Sequence, residues 1–367
     1  MYDSCDACLR RAFLIAYLAP RIAGLLGTAD RRTSGLLGLP EHDLIAAAAG
    51  RRVAQALAFL DAFDAASQQI RLREAGVLAV CSHSPLYPPA LRDLADPPAV
   101  VFGAGSGDAL RLLAEEPAVT VVGTRRASPY GTEVAYALGR GLGAAGVAVV
   151  SGLALGIDGT AHRGCLDGRG VPVAVVASGP DVVYPRRHRS LHERVREAGI
   201  VLSELPPGTD PFRWSFPARN RIMAGLARMT LVVEAADPSG SLITAEFAKD
   251  LGRCVAAVPG RITSSVARGT NNLLKDGATP ISGTEDVLDE LFGVGVRPVT
   301  AFHAEDPSPD DPELAAVLDA ADRCESVEAI ARATGRSTAQ ARAALGRLEA
   351  DGHLVRRDLG GWERTAR

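Results

Sequence analysis

The sequence Ala118-Val-Thr-Val-Val-Gly-Thr-Arg-Arg-Ala-Ser-Pro-Tyr-Gly131 joins a short run of apolar and β-branched residues to a loop and the start of an amphipathic segment. Runs of the same kind recur along the chain, and each is followed by a segment of helix length. Uninterrupted apolar strands that alternate with helices are typical of a parallel sheet covered on both faces. The pattern therefore predicts an α/β domain over residues 118–292, with a Rossmann-like, doubly wound, mostly parallel sheet.

The predicted domain is an alternation of strands and helices. The strands are predicted at Val119–Val122, Val147–Val150, Val171–Ala177, Ile200–Leu202, Met229–Val233 and Cys254–Val258. The helices are predicted at 131–145, 158–167, 188–198, 219–227, 241–251 and 284–291. Ligands of open α/β sheets bind beyond the carboxyl ends of the strands, so the loops that follow the strands are the candidate site.

The segments on either side of this domain differ from it in pattern. Residues 1–75 predict a small helical, SAM-like domain, since their apolar residues recur at helical spacing without a strand signal. Residues 76–117 predict a proline-punctuated connector, and residues 293–312 predict a linker rich in proline and aspartate. Residues 313–367 predict three helices followed by a hairpin, which is a winged-helix pattern.

Composition excludes several classes of protein. The 367 residues are 47% hydrophobic and 23% charged, which excludes a disordered or collagen-like chain. No apolar run approaches the ~20 residues of a transmembrane helix, and the first residues do not form a signal peptide, so a cytoplasmic protein is expected. The six cysteines do not form a disulfide framework, and Cys5-x-x-Cys8 lacks a second pair, so neither a metal nor a cofactor is predicted.

The charge of the chain is unevenly distributed. The net charge is −3, but Gly123–Arg228 contains fourteen arginines and eight acidic residues. Only two of the 40 basic residues are lysine, and this bias is ascribed mainly to a composition that is also rich in Ala and Gly. Glu313–Arg367 has nine arginines and nine acidic residues, so the predicted winged helix lacks the basic surplus of a typical duplex reader.

Four of the loops after predicted strands are rich in Gly, Ser or Thr: 123–131, 151–158, 178–185 and 239–244. Glycine permits close approach of the backbone, and helix N-termini offer free N–H groups, so such loops are suited to phosphate. The first loop is neither Gly-x-Gly-x-x-Gly nor a Walker A loop. Arg125 and Arg126 favour an exposed phosphodiester backbone; alternatively, one of them pairs with Glu204 or Glu234.

Two further pairs of residues have alternative interpretations. Asp158 and His162 are four residues apart at a helix start, so they either form a carboxylate-oriented histidine of the site or an N-cap with a packed polar residue. Arg219 and Arg221 are two residues apart and cannot share a helix face. One can contact phosphate while the other packs against an internal carboxylate.

Several motifs in this order resemble the DNA-processing protein A family (DprA, also called Smf). They are Gly123–Gly131, Ser151–Asp158 with Ala161-His162, Phe216-Pro-Ala-Arg-Asn-Arg-Ile222, Ser239-Gly-Ser-Leu-Ile-Thr-Ala245 and Val258-Pro-Gly260. The resemblance covers about residues 76–291. It implies a bacterial single-stranded-DNA-binding protein of natural transformation that protects incoming strands, loads the RecA recombinase, forms a homodimer through the Rossmann-like domain, and is not an enzyme.

The resemblance also implies a phosphate site. With Arg126 from the same loop, the predicted phosphate-binding residues are Gly123, Thr124, Arg125, Arg126, Ser151, Gly152, Gly156, Arg219 and Asn220. The predicted rim consists of Asp158, His162, Arg221, Ser239, Gly240, Ser241 and Thr244. Many members carry a Gly-x-Gly hairpin in the N-terminal domain, where this chain has Leu18-Ala-Pro-Arg-Ile-Ala-Gly24, so no DNA contact is predicted there.

Two other functions are weighed against this one. A hydrolase of the phosphoribohydrolase type would need a catalytic carboxylate beside a Pro-Gly-Gly loop, of which Pro259-Gly260-Arg261 is only a fragment. A winged-helix transcription regulator with a metabolite-sensing α/β domain is disfavoured by the balanced charge of the C-terminal segment.

Overall fold

The structure is a computed structural model that describes residues 4–25, 35–296, 311–321, 324, 326–350, 354–356 and 362–364. The chain forms two compact units. One comprises Met1–Leu166 with Gly170–Val299, and the other comprises Asp167–Arg169 with Thr300–Arg367.

The larger unit contains a mixed sheet in which nine described strands are ordered β1-β2-β6-β5-β4-β3-β7-β8-β9. The strands from β6 to β9 in this order are parallel, whereas β2 is antiparallel to both β1 and β6. The strands are β1 (Val77–Cys81), β2 (Val100–Gly105), β3 (Ala118–Val122), β4 (Ala148–Ser151), β5 (Pro172–Val175), β6 (Ile200–Ser203), β7 (Met229–Val232), β8 (Cys254–Ala257) and β9 (Thr279–Pro280).

Helices cover the sheet, and the central strands are buried along their whole length, as the apolar runs predicted. The helices of this unit are α1 (Asp6–Leu25), α2 (Glu41–Ala48), α3 (Val53–Asp61), α4 (Ala65–Glu74), α5 (Gly107–Glu115), α6 (Pro129–Ala144), α7 (Ile157–Asp167), α8 (Arg189–Ala198), α9 (Ser215–Leu226), α10 (Gly240–Asp250), α11 (Arg268–Lys275) and α12 (Thr284–Phe292). The predicted Rossmann-like domain is confirmed, with each predicted strand and helix present.

Residues 76–117 differ from the sequence interpretation. They are not a connector, because β1, β2 and α5 lie within them and extend the sheet. Five of the six prolines in this segment fall between β1 and β2, where they break no ladder of hydrogen bonds. The short apolar runs Val77–Val80 and Ala99–Phe102 are therefore parts of strands of the same sheet.

The N-terminal helices pack on the α/β domain instead of forming a compact unit of their own. Leu14, Leu18 and Leu44 share one buried cluster with Trp214, which precedes α9. The Trp214 indole N–H also donates a hydrogen bond of 3.0 Å to the Ala19 carbonyl. Four helices are present where the sequence predicted a helical domain, but α1 shares its core with the sheet domain.

Helices α6 and α7 approach each other at glycine contacts. A Cβ placed on Gly139 would lie 2.3 Å from the Ala161 carbonyl oxygen, and one placed on Gly164 would lie 2.2 Å from the Tyr136 carbonyl oxygen. No side chain fits in these gaps, so the two backbones are in direct contact.

The smaller unit contains α13 (Pro312–Ala321), α14 (Val327–Ala333), α15 (Thr338–Ala350) and an antiparallel pair, β10 (Leu354–Arg356) and β11 (Trp362–Arg364). This is the predicted order of three helices and a hairpin. The hairpin turn at 358–361 and most of the predicted linker lie outside the described residues. Among the helices that the structure describes, none combines the length and apolar character needed to cross a membrane.

Candidate functional site

A cleft of about 550 Å³ opens at the carboxyl ends of β3 and β7. These strands are neighbours, and the chain continues outward from them in opposite directions, through β4, β5 and β6 on one side and β8 and β9 on the other. This is the switch point of a doubly wound sheet, where the loops diverge and leave a crevice. The predicted residues that line it are Gly123, Thr124, Arg125, Asp158, Arg219, Asn220, Ser239, Gly240, Ser241 and Thr244.

Glycines allow the loops around the cleft to pack closely. Gly152 lies against Arg219, since a Cβ there would be 2.0 Å from the Arg219 Nη1 atom. Gly156 has a φ of +77° and lies against the Thr124 carbonyl. At position 156, a residue with a side chain would have a strained backbone. At position 152, the Cβ of such a residue would displace the Arg219 guanidinium.

The N-terminus of α10 forms one wall of the cleft. Ser239 caps the helix by accepting a hydrogen bond from the Ser241 N–H, and Asn220 donates one of 3.2 Å to the Gly240 carbonyl. The buried Thr244 hydroxyl has no hydrogen-bond partner among the described residues. Free N–H groups at the start of an 11-residue helix favour an anion here.

Arg219 places a buried guanidinium beside the cleft. Its Nη1 atom donates to the carbonyls of Gly152, at 2.8 Å, and Val175, whereas its Nε atom has no partner within the described chain. Burial lowers the Arg219 pKa to about 10, and Asp158 opposes the shift. Arg219 therefore remains positively charged at neutral pH with hydrogen-bonding capacity to spare.

Asp158 lies in the first turn of α7 and is buried. Its carboxylate accepts a hydrogen bond of 3.2 Å from the Gly152 N–H. Burial raises the Asp158 pKa, while the positive charge of Arg219 acts in the opposite direction. The carboxylate orients the loop after β4 and balances Arg219.

Arg125 is exposed at the mouth of the cleft, and its guanidinium lies 5.3 Å from the centre of the Phe216 ring. It has no carboxylate partner among the described residues. Glu234 instead accepts hydrogen bonds from the Ser128 N–H and hydroxyl, and Glu204 is paired with Arg221. The alternative in which Arg125 pairs with Glu204 or Glu234 is therefore not realised.

Besides Gly152 and Gly156, four predicted site residues lie outside the cleft lining. The Ser151 hydroxyl donates to the Val121 carbonyl at 2.6 Å, and exposed Arg126 uses its N–H to bond Thr124. Arg221 is fully buried between Glu204 and Asp96, because it faces the opposite side of α9 from Arg219. Arg221 therefore does not belong to the rim, where the sequence predicted it, but is the arginine that pairs with internal carboxylates.

His162 is the fourth of these residues and is also corrected. It is fully buried, and neither ring nitrogen has a hydrogen-bond partner within the described chain. Burial lowers the His162 pKa to about 3, so the ring is neutral near pH 7 and is not present as the imidazolium that acts as a general acid. The acid–base interpretation of Asp158 and His162 is not supported.

The state of His162 predicts a pH-dependent stability. Its pKa is about 3 when folded and about 6.5 when unfolded, so only the unfolded chain takes up a proton as the pH falls below 6.5. We expect the free energy of unfolding to drop by about 2 kcal/mol between pH 7.5 and pH 5 through this residue. Urea titrations at both pH values test this. In His162→Leu this drop should shrink to the contribution of His192, whose pKa is also lowered by burial; an unchanged drop would contradict the assignment.

The sequence analysis missed the aromatic part of the site. Phe216 lines the cleft, and its ring lies 5.6 Å from that of Tyr184. Both rings also line an adjoining cavity of about 70 Å³ together with Arg125 and Arg219. Aromatic residues make up only 5% of the sequence, which predicts little base stacking. The signal that could have identified the ring is the spacing of Phe216 and Arg219, which are one helical turn apart.

Comparison of the sequence with known proteins identifies one family. The model of the family named DNA recombination-mediator protein A matches residues 79–292. A relative from Mycobacterium tuberculosis is 47% identical over 191 residues, and the match spans 50% of this chain but only about half, 49%, of that relative. Protein Smf of Escherichia coli is 36% identical over 282 residues, which cover 74% of this chain and 73% of that protein.

Two similar solved structures belong to the same family as the sequence relatives. The crystal structure of DNA processing protein A from Streptococcus pneumoniae has a TM-score of 0.62 and 32% identity, covering 78% of this chain and 96% of that one. The corresponding protein from Helicobacter pylori, whose structure addresses its single-stranded DNA binding mode, has a TM-score of 0.51 and 31% identity. The match covers 56% of this chain and 92% of the Helicobacter pylori chain.

Proposed function

This chain belongs to the DNA recombination-mediator protein A family, and we therefore propose that it binds single-stranded DNA in the cleft between β3 and β7. The observation that carries the proposal is the pair Arg125 and Arg219, two cations that line one cleft and that form no direct salt bridge among the described residues. The α10 N-terminus adds N–H groups to the same wall.

The groups around the cleft fit a single strand. Phosphates are bound by arginine and by free backbone N–H groups, and unpaired bases can stack on Phe216 and Tyr184. None of these contacts recognises the hydrogen-bonding edge of a base. Binding is thus driven by the DNA backbone, depends on salt and has weak sequence preference.

The finer role that we propose is that of a recombination mediator in natural transformation, which protects incoming single strands in the cytoplasm and loads RecA. The family to which the chain belongs supports this. We also propose homodimerisation through the Rossmann-like domain and a winged helix over residues 313–367. RecA loading is tested by the rate of RecA filament formation on strands coated with single-strand-binding protein, with and without this chain.

We further propose that the site is not enzymatic. Two candidate acid–base groups are not available in the cleft: His162 is neutral and buried, and Glu234 accepts hydrogen bonds from Ser128. Release of base from a nucleoside monophosphate by the purified chain would favour the phosphoribohydrolase alternative instead.

Replacing Arg125 by alanine tests the binding site. We expect the affinity for a labelled single-stranded oligonucleotide to fall about tenfold on every sequence, since one exposed charge-assisted contact with phosphate is lost. The slope of log K against log salt should decrease by ~0.7. Fluorescence anisotropy across a salt series, with single-stranded and duplex DNA, measures both quantities.

Arg228→Ala is the matched control, because Arg228 is exposed just before β7, at the opposite edge of the sheet. It should bind as the wild type does. Equal affinities and equal salt slopes for Arg125→Ala and the wild type would place the strand elsewhere on the protein.

A further inference from the structure

Four side chains of the kinds that bind metal ions lie close together in a part of the chain that contributes no residue to the cleft between β3 and β7. They are Cys5, Cys8, Cys81 and His83, and their ligand atoms all lie within 4.8 Å of one another. Cys5 immediately precedes α1 and Cys8 lies in its first turn, whereas Cys81 ends β1 and His83 is in the following turn. The sequence offered one Cys-x-x-Cys motif, and the fold completes it with a Cys-x-His motif.

The spacing of these atoms matches a tetrahedral metal site. The His83 Nδ1 atom lies 3.3 Å from the Cys8 sulfur and 3.6 Å from the Cys5 sulfur. Zinc binds thiolate at about 2.3 Å and imidazole at about 2.0 Å, so ligands at the corners of its tetrahedron are roughly 3.5–3.8 Å apart. Small side-chain rotations bring all four ligands to these separations.

We propose that Cys5, Cys8, Cys81 and His83 bind one Zn²⁺ ion as a structural Cys₃His site. Three thiolates and one imidazole form a soft ligand set that selects zinc over magnesium or calcium. Four protein ligands leave no open position for water or substrate, which distinguishes a structural site from a catalytic one. The expectation that the chain binds no metal rested on the missing second cysteine pair, and this proposal replaces it.

Backbone groups around Cys81 support a bound thiolate. The Cys5 N–H lies 3.5 Å from the Cys81 sulfur, and the Ser84 N–H donates a hydrogen bond of 2.9 Å to the Cys81 carbonyl, which closes the turn that carries His83. Hydrogen bonds from such outer partners orient metal ligands and offset the negative charge of the sulfur. The end of β1 and the turn after it therefore hold Cys81 and His83 in a fixed arrangement.

The site joins two elements that are 76 residues apart in sequence. A zinc ion would link the start of α1 to the end of the edge strand β1. Cys8 and Cys81 also share a hydrophobic cluster with Phe102. Because such a site does not exist in the unfolded chain, its binding free energy contributes to folding. The ion would stabilise the attachment of the N-terminal helices to the sheet.

Metal analysis of the untagged, full-length chain tests the proposal. We expect about one zinc per chain by mass spectrometry of the metal content, and near zero for Cys8→Ser and Cys81→Ser. His83→Ala should bind zinc more weakly, because three ligands and water replace four protein ligands. Cys254→Ser is the matched control with a half-buried thiol outside the cluster, and it should keep its zinc.

Two measurements on the wild type keep the test independent of how the variants fold. Replacement of zinc by Co²⁺ should give the intense visible bands of tetrahedral cobalt with thiolate charge transfer, and a chelator should lower the melting temperature until zinc is restored. Absence of the cobalt spectrum, or a reduced protein that contains no zinc, would overturn the proposal, as would a Cys5–Cys8 disulfide in the freshly purified chain. Arg125→Ala should retain zinc whether or not it binds DNA.

Discussion

Replacing Arg219 by methionine is expected to weaken single-stranded DNA binding by about two orders of magnitude. The side chain is 7% exposed, so its charge acts on a phosphate in a medium of low dielectric constant. A charge-assisted hydrogen bond in such a place contributes about 1.5–3 kcal/mol, and about 2.7 kcal/mol corresponds to a hundredfold change in affinity. The loss should exceed that of Arg125→Ala, whose guanidinium is exposed to screening by salt.

Fluorescence anisotropy at low and moderate salt measures the effect, with circular dichroism and urea unfolding as checks of the fold. Arg219→Met also leaves the buried Asp158 without its cationic neighbour, so Arg219→Met/Asp158→Asn separates binding from folding. The double variant should regain stability but not affinity. Recovery of DNA binding in the double variant would show that Arg219 acts through the fold and not on phosphate.

The second large effect is expected on stability, from Arg221→Met. The Arg221 Nη2 atom lies 2.7 Å and 2.9 Å from the two Glu204 carboxylate oxygens, and its Nε atom lies 3.2 Å from Asp96. Removing one member of a buried ion pair leaves an uncompensated charge, which costs about 3–5 kcal/mol of unfolding free energy. Urea unfolding at pH 7 should show a lower midpoint at an unchanged slope.

The pH dependence of this variant identifies the cause. Burial raises the Glu204 pKa and Arg221 opposes that shift, so without Arg221 the folded state will favour protonated Glu204 more strongly. A raised folded pKa costs stability as the pH rises above the unfolded value of about 4.3, so the variant should recover at acidic pH relative to the wild type. Arg221→Met/Glu204→Leu should regain most of the loss at pH 7, and equal losses in the single and double variants would contradict the account.

The sequence was sufficient to predict the central sheet because its signal is local. Each strand of the parallel core is a short apolar run such as Ala118–Val122, and Gly123 and Gly152 directly follow β3 and β4. The loops after the strands were likewise predicted to form the site, because parallel strands end at one edge of a sheet. The individual phosphate-binding residues were given by the family resemblance.

The sequence was not sufficient where distant segments combine. The side of α9 on which Arg221 lies depends on Glu204 and Asp96, which are 17 and 125 positions earlier in the chain. The relation of Cys5 and Cys8 to Cys81 and His83 depends on how α1 packs on the edge of the sheet. Residues 76–117 were taken as a connector because their prolines dominated the local pattern while their pairing partners lay elsewhere.

The glycine contact between α6 and α7 restricts how the chain can change. Both helices begin at loops that border the cleft between β3 and β7, so a methyl group added at Gly139 or Gly164 would push the helices apart and shift the two loops relative to each other. Gly139 and Gly164 are thus expected to be as intolerant of substitution as residues that line the cleft. Part of the glycine content of this chain is therefore a requirement for keeping two loops in register, and not only a mark of its overall composition.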